Sequence, residues 1–97
     1  EDVDCAMIRG EGTFYSNDDA QALAECVQDY LAQHSDMVPR GLYKENYYVL
    51  RPYWTPSILV EAGFMCNPGD FAKLSSPEWR RAFARTLAQA VSGYFAP

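Results

Sequence analysis

One acidic residue stands inside the most apolar run of the chain. Glu61 follows Ile58-Leu59-Val60 and precedes Ala62-Gly63-Phe64-Met65. An ionised carboxylate among such neighbours costs several kcal/mol unless it is paired, or its pKa rises toward neutrality. Glu61 falls where a short strand should end, and Gly63 lets the backbone turn away. In open α/β sheets the carboxyl ends of strands face the ligand crevice. A partly desolvated carboxylate in that position suits general-base chemistry. The alternative is a structural ion pair with Arg51 or Arg40, or a solvated strand end. On the residues alone the two weigh evenly, because structural pairs perturb carboxylates as well.

The other reactive side chains are fewer. Tyr43, Tyr47, Tyr48, Tyr53 and Trp54 cluster along the chain. Such rings line sugar or peptide grooves, but more often they fill a core or an interface. Tyr47 and Tyr48, inside a strand-like run, read as core. Trp54, in a proline-bounded loop just before the Glu61 strand, is the groove candidate. His34 is the single histidine and ends a helical stripe, which makes it a packing or surface residue. Cys5, Cys26 and Cys66 are odd in number and widely spaced, without a CxxC pair. They read as small buried apolar side chains, or as one disulfide plus a spare thiol, rather than as metal ligands. One histidine and no CxxC make no zinc-type cluster. A GxSxG elbow and a glycine-rich phosphate loop are both absent from the sequence, so serine-nucleophile and phosphate-cradling chemistry have no support.

The elements that must position Glu61 follow from pattern. Gly10–Ser16 predicts a short strand, and Ser16-Asn17-Asp18-Asp19 a helix start. Apolar residues at Leu23, Val27, Tyr30 and Leu31 then keep helical spacing to about His34. Asn46–Arg51 reads as a second strand after a loop at Arg40-Gly41, and Ser57–Val60 as a third, buried on both faces of a parallel sheet. Asn67-Pro68-Gly69-Asp70 reads as a turn, followed by one helical turn through Leu74. Ser76 as N-cap, Pro77 at the first helical position and Glu78 in the first turn open a closing helix. Its apolar stripe is Trp79, Phe83, Leu87, Val91 and Tyr94/Phe95, with Arg80, Arg81 and Arg85 off it. The outcome is an α/β arrangement, a twisted sheet of about three strands with two main helices. Such a sheet is thin for a whole domain.

Composition bounds the function. The chain has 97 residues, 48 % hydrophobic and 22 % charged, and carries a net charge of −5. That is globular rather than disordered. Without a basic run it offers no nucleic-acid surface, and its longest apolar stretch, Ser57–Cys66, is too short to span a membrane. It opens on Glu1-Asp2-Val3-Asp4. A start of that kind reads as a processing site or a chosen boundary, with any export signal already removed.

Three segments together resemble a known family. They are Arg40-Gly41-Leu42, Asn46-Tyr47-Tyr48-Val49-Leu50-Arg51, and above all Pro56-Ser57-Ile58-Leu59-Val60-Glu61-Ala62-Gly63-Phe64-Met65-Cys66-Asn67-Pro68. In this register the chain, over residues 1–97, is similar to the C-terminal half of the catalytic domain of zinc-dependent N-acetylmuramoyl-L-alanine amidases of the amidase-3 type. The resemblance implies a bacterial cell-wall hydrolase, exported to the wall or periplasm. Its substrate is peptidoglycan, cut at the amide between N-acetylmuramic acid and L-alanine of the stem peptide. Glu61 matches the family's catalytic glutamate, while Trp54 and Asn67 are candidates for substrate contact. Cys66 stands where the family more often has Ser or Thr, and Phe71 interrupts a usually acidic stretch.

The family's zinc is held by two histidines and a glutamate, all in its N-terminal half, so no metal ligand is expected within these residues. The chain alone would then be inactive, and the N-terminal half of the domain, even as a separate chain, is an expected partner. The alternative is a non-catalytic amidase-like module that binds peptidoglycan or regulates other wall enzymes. A DPGHGG-like segment, a later glutamate and an SIH-like segment upstream of Glu1 would decide for the enzyme.

Overall fold

The longest element follows directly from its caps. Helix α3 spans Pro77–Phe95; the Ser76 hydroxyl accepts the amide of Trp79 and Pro77 opens the first turn. The structure, a computed structural model, describes residues 4–97, so the opening Glu1-Asp2-Val3 lies outside the described residues. Helix α1 spans Gln21–His34 and packs along α3. Their shared core holds Leu23, Val27 and Leu31 from one helix and Phe83 and Ala90 from the other. Trp79 stacks on Phe83 with centroids 5.0 Å apart. The short helix α2, Pro68–Leu74, precedes α3.

Three strands carry the sheet: β1, Glu11–Tyr15; β2, Pro39–Lys44; and β3, Ile58–Glu61. Their order is β2-β1-β3, with β2 parallel and β3 antiparallel to β1. Side chains alternate between faces along a strand and paired residues share a face. Glu11, Thr13, Tyr15, Leu42, Ile58 and Val60 therefore point toward α1 and α3, and they meet Ala20, Ala24, Leu23 and Val27 there. Gly12, Phe14, Tyr43, Leu59 and Glu61 share the opposite face. Phe14 stacks on Tyr43 at 5.0 Å and leans on Tyr47 at 5.6 Å.

The architecture is the expected α/β, but two strands differ from the sequence reading. The second strand is Pro39–Lys44, not Asn46–Arg51. Chain returning from α1 enters the sheet at once, and the aromatic run behind it folds into a 3-10 turn, Tyr48–Leu50, that buries only Leu50. Tyr48 is 85 % exposed and Tyr47 is exposed too, so neither is core. The side-chain amide of Asn17 holds this turn by donating to the carbonyls of Leu50, Arg51 and Pro52. The third strand is antiparallel and half-buried rather than parallel and buried on both faces. The cysteines also depart from the buried option: Cys5 and Cys66 are exposed and Cys26 is half-buried.

Two buried carboxylates fix the start of β1. Glu11 is fully buried between β1 and α1. The Thr13 hydroxyl donates to the Gln28 carbonyl oxygen at 2.8 Å, and the Gln28 amide donates to Glu11 Oε2 at 3.0 Å. Among the described residues Glu11 Oε1 has no partner. Burial raises the Glu11 pKa above its ordinary 4.5, opposed in part by the Gln28 hydrogen bond.

Asp70 works differently, as an acceptor of backbone donors. Its Oδ2 takes the amide of Gly10 at 2.8 Å and that of Phe64 at 3.0 Å. The chain just before β1 and the chain just after Glu61 thus hang on one oxygen. Gly10 has φ +108°, and a Cβ there would lie 2.2 Å from the Val38 carbonyl, so only glycine fits.

Two outcomes follow for stability. Asp70→Ala leaves two amides without their acceptor, at roughly 1–3 kcal/mol each, and a denaturant midpoint should fall accordingly. Asp70→Asn keeps one oxygen and should lose clearly less. For Glu11 the native pKa lies above the unfolded one, so the native state holds the extra proton between them. The contribution of Glu11 to stability is then fully present below about pH 4.5 and is lost as pH rises through the native value. Glu11→Gln mimics the protonated form; it should raise the melting temperature at neutral pH and flatten that decline.

Candidate active site around Glu61

Glu61 closes β3 opposite Gly12 of β1. Because β3 is antiparallel, its carboxyl end lies at the amino ends of β1 and β2, not at the carboxyl ends of a parallel set. The side chain stands exposed rather than partly desolvated. Gly12 presents no side chain beside it, and a Cβ there would sit 3.2 Å from the Tyr43 ring. A glycine and the face of a tyrosine therefore border the carboxylate on its own sheet.

The ion-pair alternative is not what forms. The Arg40 guanidinium lies over the Phe64 ring at 5.0 Å, and that of Arg51 over Tyr48 at 5.7 Å. The ion pairs among the described residues are Lys44 with Asp18, at 2.8 Å, and Lys73 with Asp36, at 3.7 Å. Lys44 holds the Asp18 pKa down, and Asp18 pushes that of Lys44 up. Glu61 has no part in either pair. Among the described residues its carboxylate has no charged partner.

What holds it in place is the turn behind it. After Glu61 the chain passes Ala62 and Gly63 to the Phe64 amide, which is fixed by Asp70. A Cβ on Gly63 would meet Met37 Cε at 2.7 Å and Asp70 Oδ2 at 3.1 Å, so the turn packs too closely for any side chain. Asn67 caps α2. Its Oδ1 accepts the Asp70 amide at 3.0 Å, and its Nδ2 donates to the Ala6 carbonyl at 2.7 Å. Asp70 stands at the third helical position after that cap, in a capping-box spacing. That spacing was the available signal for Asp70, which as part of a turn reads as unremarkable. Glu11 carried a weaker signal: it shares a strand face with Thr13 and Tyr15 and must therefore point at a helix.

The other candidates lie apart from Glu61. Trp54 sits in the connection that enters β3 at Ile58, at the far end of the strand. It is 75 % exposed and meets Tyr53 edge-on at 5.5 Å. With Tyr48, Val49, Arg51, Pro52 and Tyr53 it lines an open hollow of about 460 Å³. His34 is exposed at the end of α1, its ring tilted against Tyr30 with centroids 4.0 Å apart, beside a small cavity of about 160 Å³. Among the described residues no three His, Cys, Asp or Glu side chains converge as a metal site would require.

Comparison with known proteins sets these residues in a family. The family model described as N-acetylmuramoyl-L-alanine amidase matches residues 3–93. An uncharacterised cell wall amidase of Bacillus anthracis is 39 % identical over 77 residues, which are 79 % of this chain and 14 % of that protein. The uncharacterised protein YqiI of Bacillus subtilis is 28 % identical over 94 residues, 93 % of this chain and 46 % of that protein. Among solved structures, the amidase AmiC2 of Nostoc punctiforme superposes with a TM-score of 0.86 at 36 % identity, covering 92 % of this chain and 49 % of that one. The catalytic domain of the amidase CwlV from Bacillus (Paenibacillus) polymyxa gives 0.84 at 25 % identity, covering 92 % and 50 %. The chain spans about half of these solved structures and half or less of the sequence relatives. On the match over residues 3–93 and the shared fold, the chain belongs to the N-acetylmuramoyl-L-alanine amidase family.

Proposed function

We propose that Glu61 is the general base of a peptidoglycan amidase that cuts the bond between N-acetylmuramic acid and L-alanine of the stem peptide. The observation that carries this is the placement of Glu61. It is exposed, unpaired and rigidly backed at a strand end, in a chain matched by the amidase family. Such a carboxylate can take the proton of the attacking water and return it to the alanine nitrogen as the C–N bond breaks. Asp70 and Asn67 act as positioning residues, since their polar atoms are committed to the backbone around the turn. Trp54 offers an exposed indole for stacking on a sugar or peptide away from the scissile bond.

The residues described do not fit the zinc on which the family generally depends. The single histidine packs against Tyr30, and among the described residues no ligand group assembles. The metal would be held by residues beyond these 97, in the remainder of a catalytic domain about twice as long. An enzyme acting on the cell wall would work outside the cytoplasm.

Glu61→Gln in a protein that carries this chain should lower release of stem peptide from muropeptides by about a hundred- to ten-thousand-fold. Far-ultraviolet circular dichroism and the melting temperature should stay unchanged. Unchanged turnover would remove Glu61 from the chemistry and favour a binding or regulatory module. The 97-residue chain by itself should release no peptide. Trp54→Ala should weaken retention on insoluble peptidoglycan by roughly five- to tenfold, with cleavage of a small soluble muropeptide unaffected.

A further inference from the structure

Two of the three cysteines are brought together from distant parts of the chain. Cys5 opens a 3-10 turn, Cys5–Met7, ahead of β1, and the Asp4 carboxylate caps it by accepting the Ala6 amide at 3.1 Å. Cys66 lies in the loop between β3 and α2. Its Sγ donates to the Cys5 carbonyl at 3.0 Å, while the neighbouring Asn67 donates to the Ala6 carbonyl at 2.7 Å. Two consecutive residues thus grip two consecutive carbonyls, which fixes the register between the segments. The Cys66 thiol thus lies against the main chain of Cys5, and both residues are exposed. Cys26 is half-buried on α1, a different element.

We propose that Cys5 and Cys66 form an intrachain disulfide by exchange with a low-molecular-weight disulfide or a disulfide oxidoreductase, tying the segment before β1 to the loop that leaves Glu61. The Cys66 thiolate attacks one sulfur of the oxidant and expels a thiolate. The Cys5 thiolate then attacks Cys66 Sγ in the mixed disulfide and releases the second. Two thiols are oxidised to one disulfide, the oxidant's disulfide is reduced to two thiols, and the two cysteine protons end on those released groups. The Cys66 thiol pushes the Cys5 pKa up through its hydrogen bond, with smaller contributions from desolvation and from the Cys66 and Asp4 charges. Cys5 accordingly serves as the second, resolving thiol. The bond would join residues 61 positions apart, a long loop whose closure restricts the unfolded chain. It would also clamp the Asn67 and Asp70 contacts that support the turn after Glu61.

The test is oxidation of the chain with oxidised glutathione in mildly alkaline buffer. The intact mass should fall by two hydrogens, iodoacetamide should label Cys26 alone, and a non-reducing digest should contain the Cys5–Cys66 peptide pair. The melting temperature should rise by several degrees and return on reduction. Cys26→Ser should leave the cross-link intact, whereas Cys5→Ser should leave Cys66 as a stable glutathione adduct. A link through Cys26, an interchain dimer, or persistent glutathione adducts on both Cys5 and Cys66 of the unsubstituted chain would overturn the assignment.

Discussion

The carboxylate of Asp70 joins two places that are distant in sequence and must be adjacent in space. One oxygen takes the amide of Gly10, at the mouth of β1, and the amide of Phe64, three residues beyond Glu61. Each is a charge-assisted bond in a buried setting, the stronger class of protein hydrogen bond. The geometry tolerates little variation around it. Gly10 must adopt φ +108° with the Val38 carbonyl against its Cα, and Gly63 must leave room for Met37 and for Asp70 itself. Asn67 then fixes Asp70 by capping its amide. A chain of short-range requirements therefore reaches Glu61 through backbone, with no side chain bonded to its carboxylate.

The sheet divides the work between its faces. One face is filled by α1 and α3 and holds nearly all of the apolar core. Glu11 intrudes on that face, and the Gln28 amide, itself held by the Thr13 hydroxyl, offsets part of the cost of its burial. The opposite face carries aromatic rings at Phe14 and Tyr43, half-buried Leu59, and Glu61 at its rim. Charge is thus tolerated in two forms. A buried carboxylate is driven toward its neutral form on the packed face, and a free one stands in water on the other.

Sequence legibility followed the strength of local physics. Helix α3 was fully readable, because Ser76, Pro77 and a four-turn apolar stripe all act within the segment itself. Helix α1 was readable for the same reason, and so was the position of Glu61 at a strand end. The second strand was not. Tyr47, Tyr48 and Val49 have high strand propensity, but Asn17 anchors that stretch as a turn through bonds reaching 33 to 35 residues along the chain. Propensity yields to tertiary context of this kind. Strand direction was also beyond reach, since an apolar run of four says nothing about whether its partner runs parallel. The meeting of Cys5 with Cys66 was invisible for the same cause: it depends on how two loops close against each other, not on spacing.

The two sides of the sheet bear on how Glu61 could work as a base. A carboxylate in water is a weak base, and removing water from around it strengthens it. Here the helices already occupy one face, so the carboxylate can be desolvated only from the other, the face of Gly12, Phe14, Tyr43 and Leu59. Those residues are half-buried or lack a side chain, which makes that surface inexpensive to cover and apolar enough to reward it. The outer edge of β3 also has no strand beside it among the described residues. Additional chain that paired with that edge and lay over the aromatic face would enclose Glu61 without moving it. The amidases that superpose on this chain are about twice its length, enough for such a layer. On this argument the described residues would hold the proposed base in a fixed position, and its strength would depend on what is laid against it.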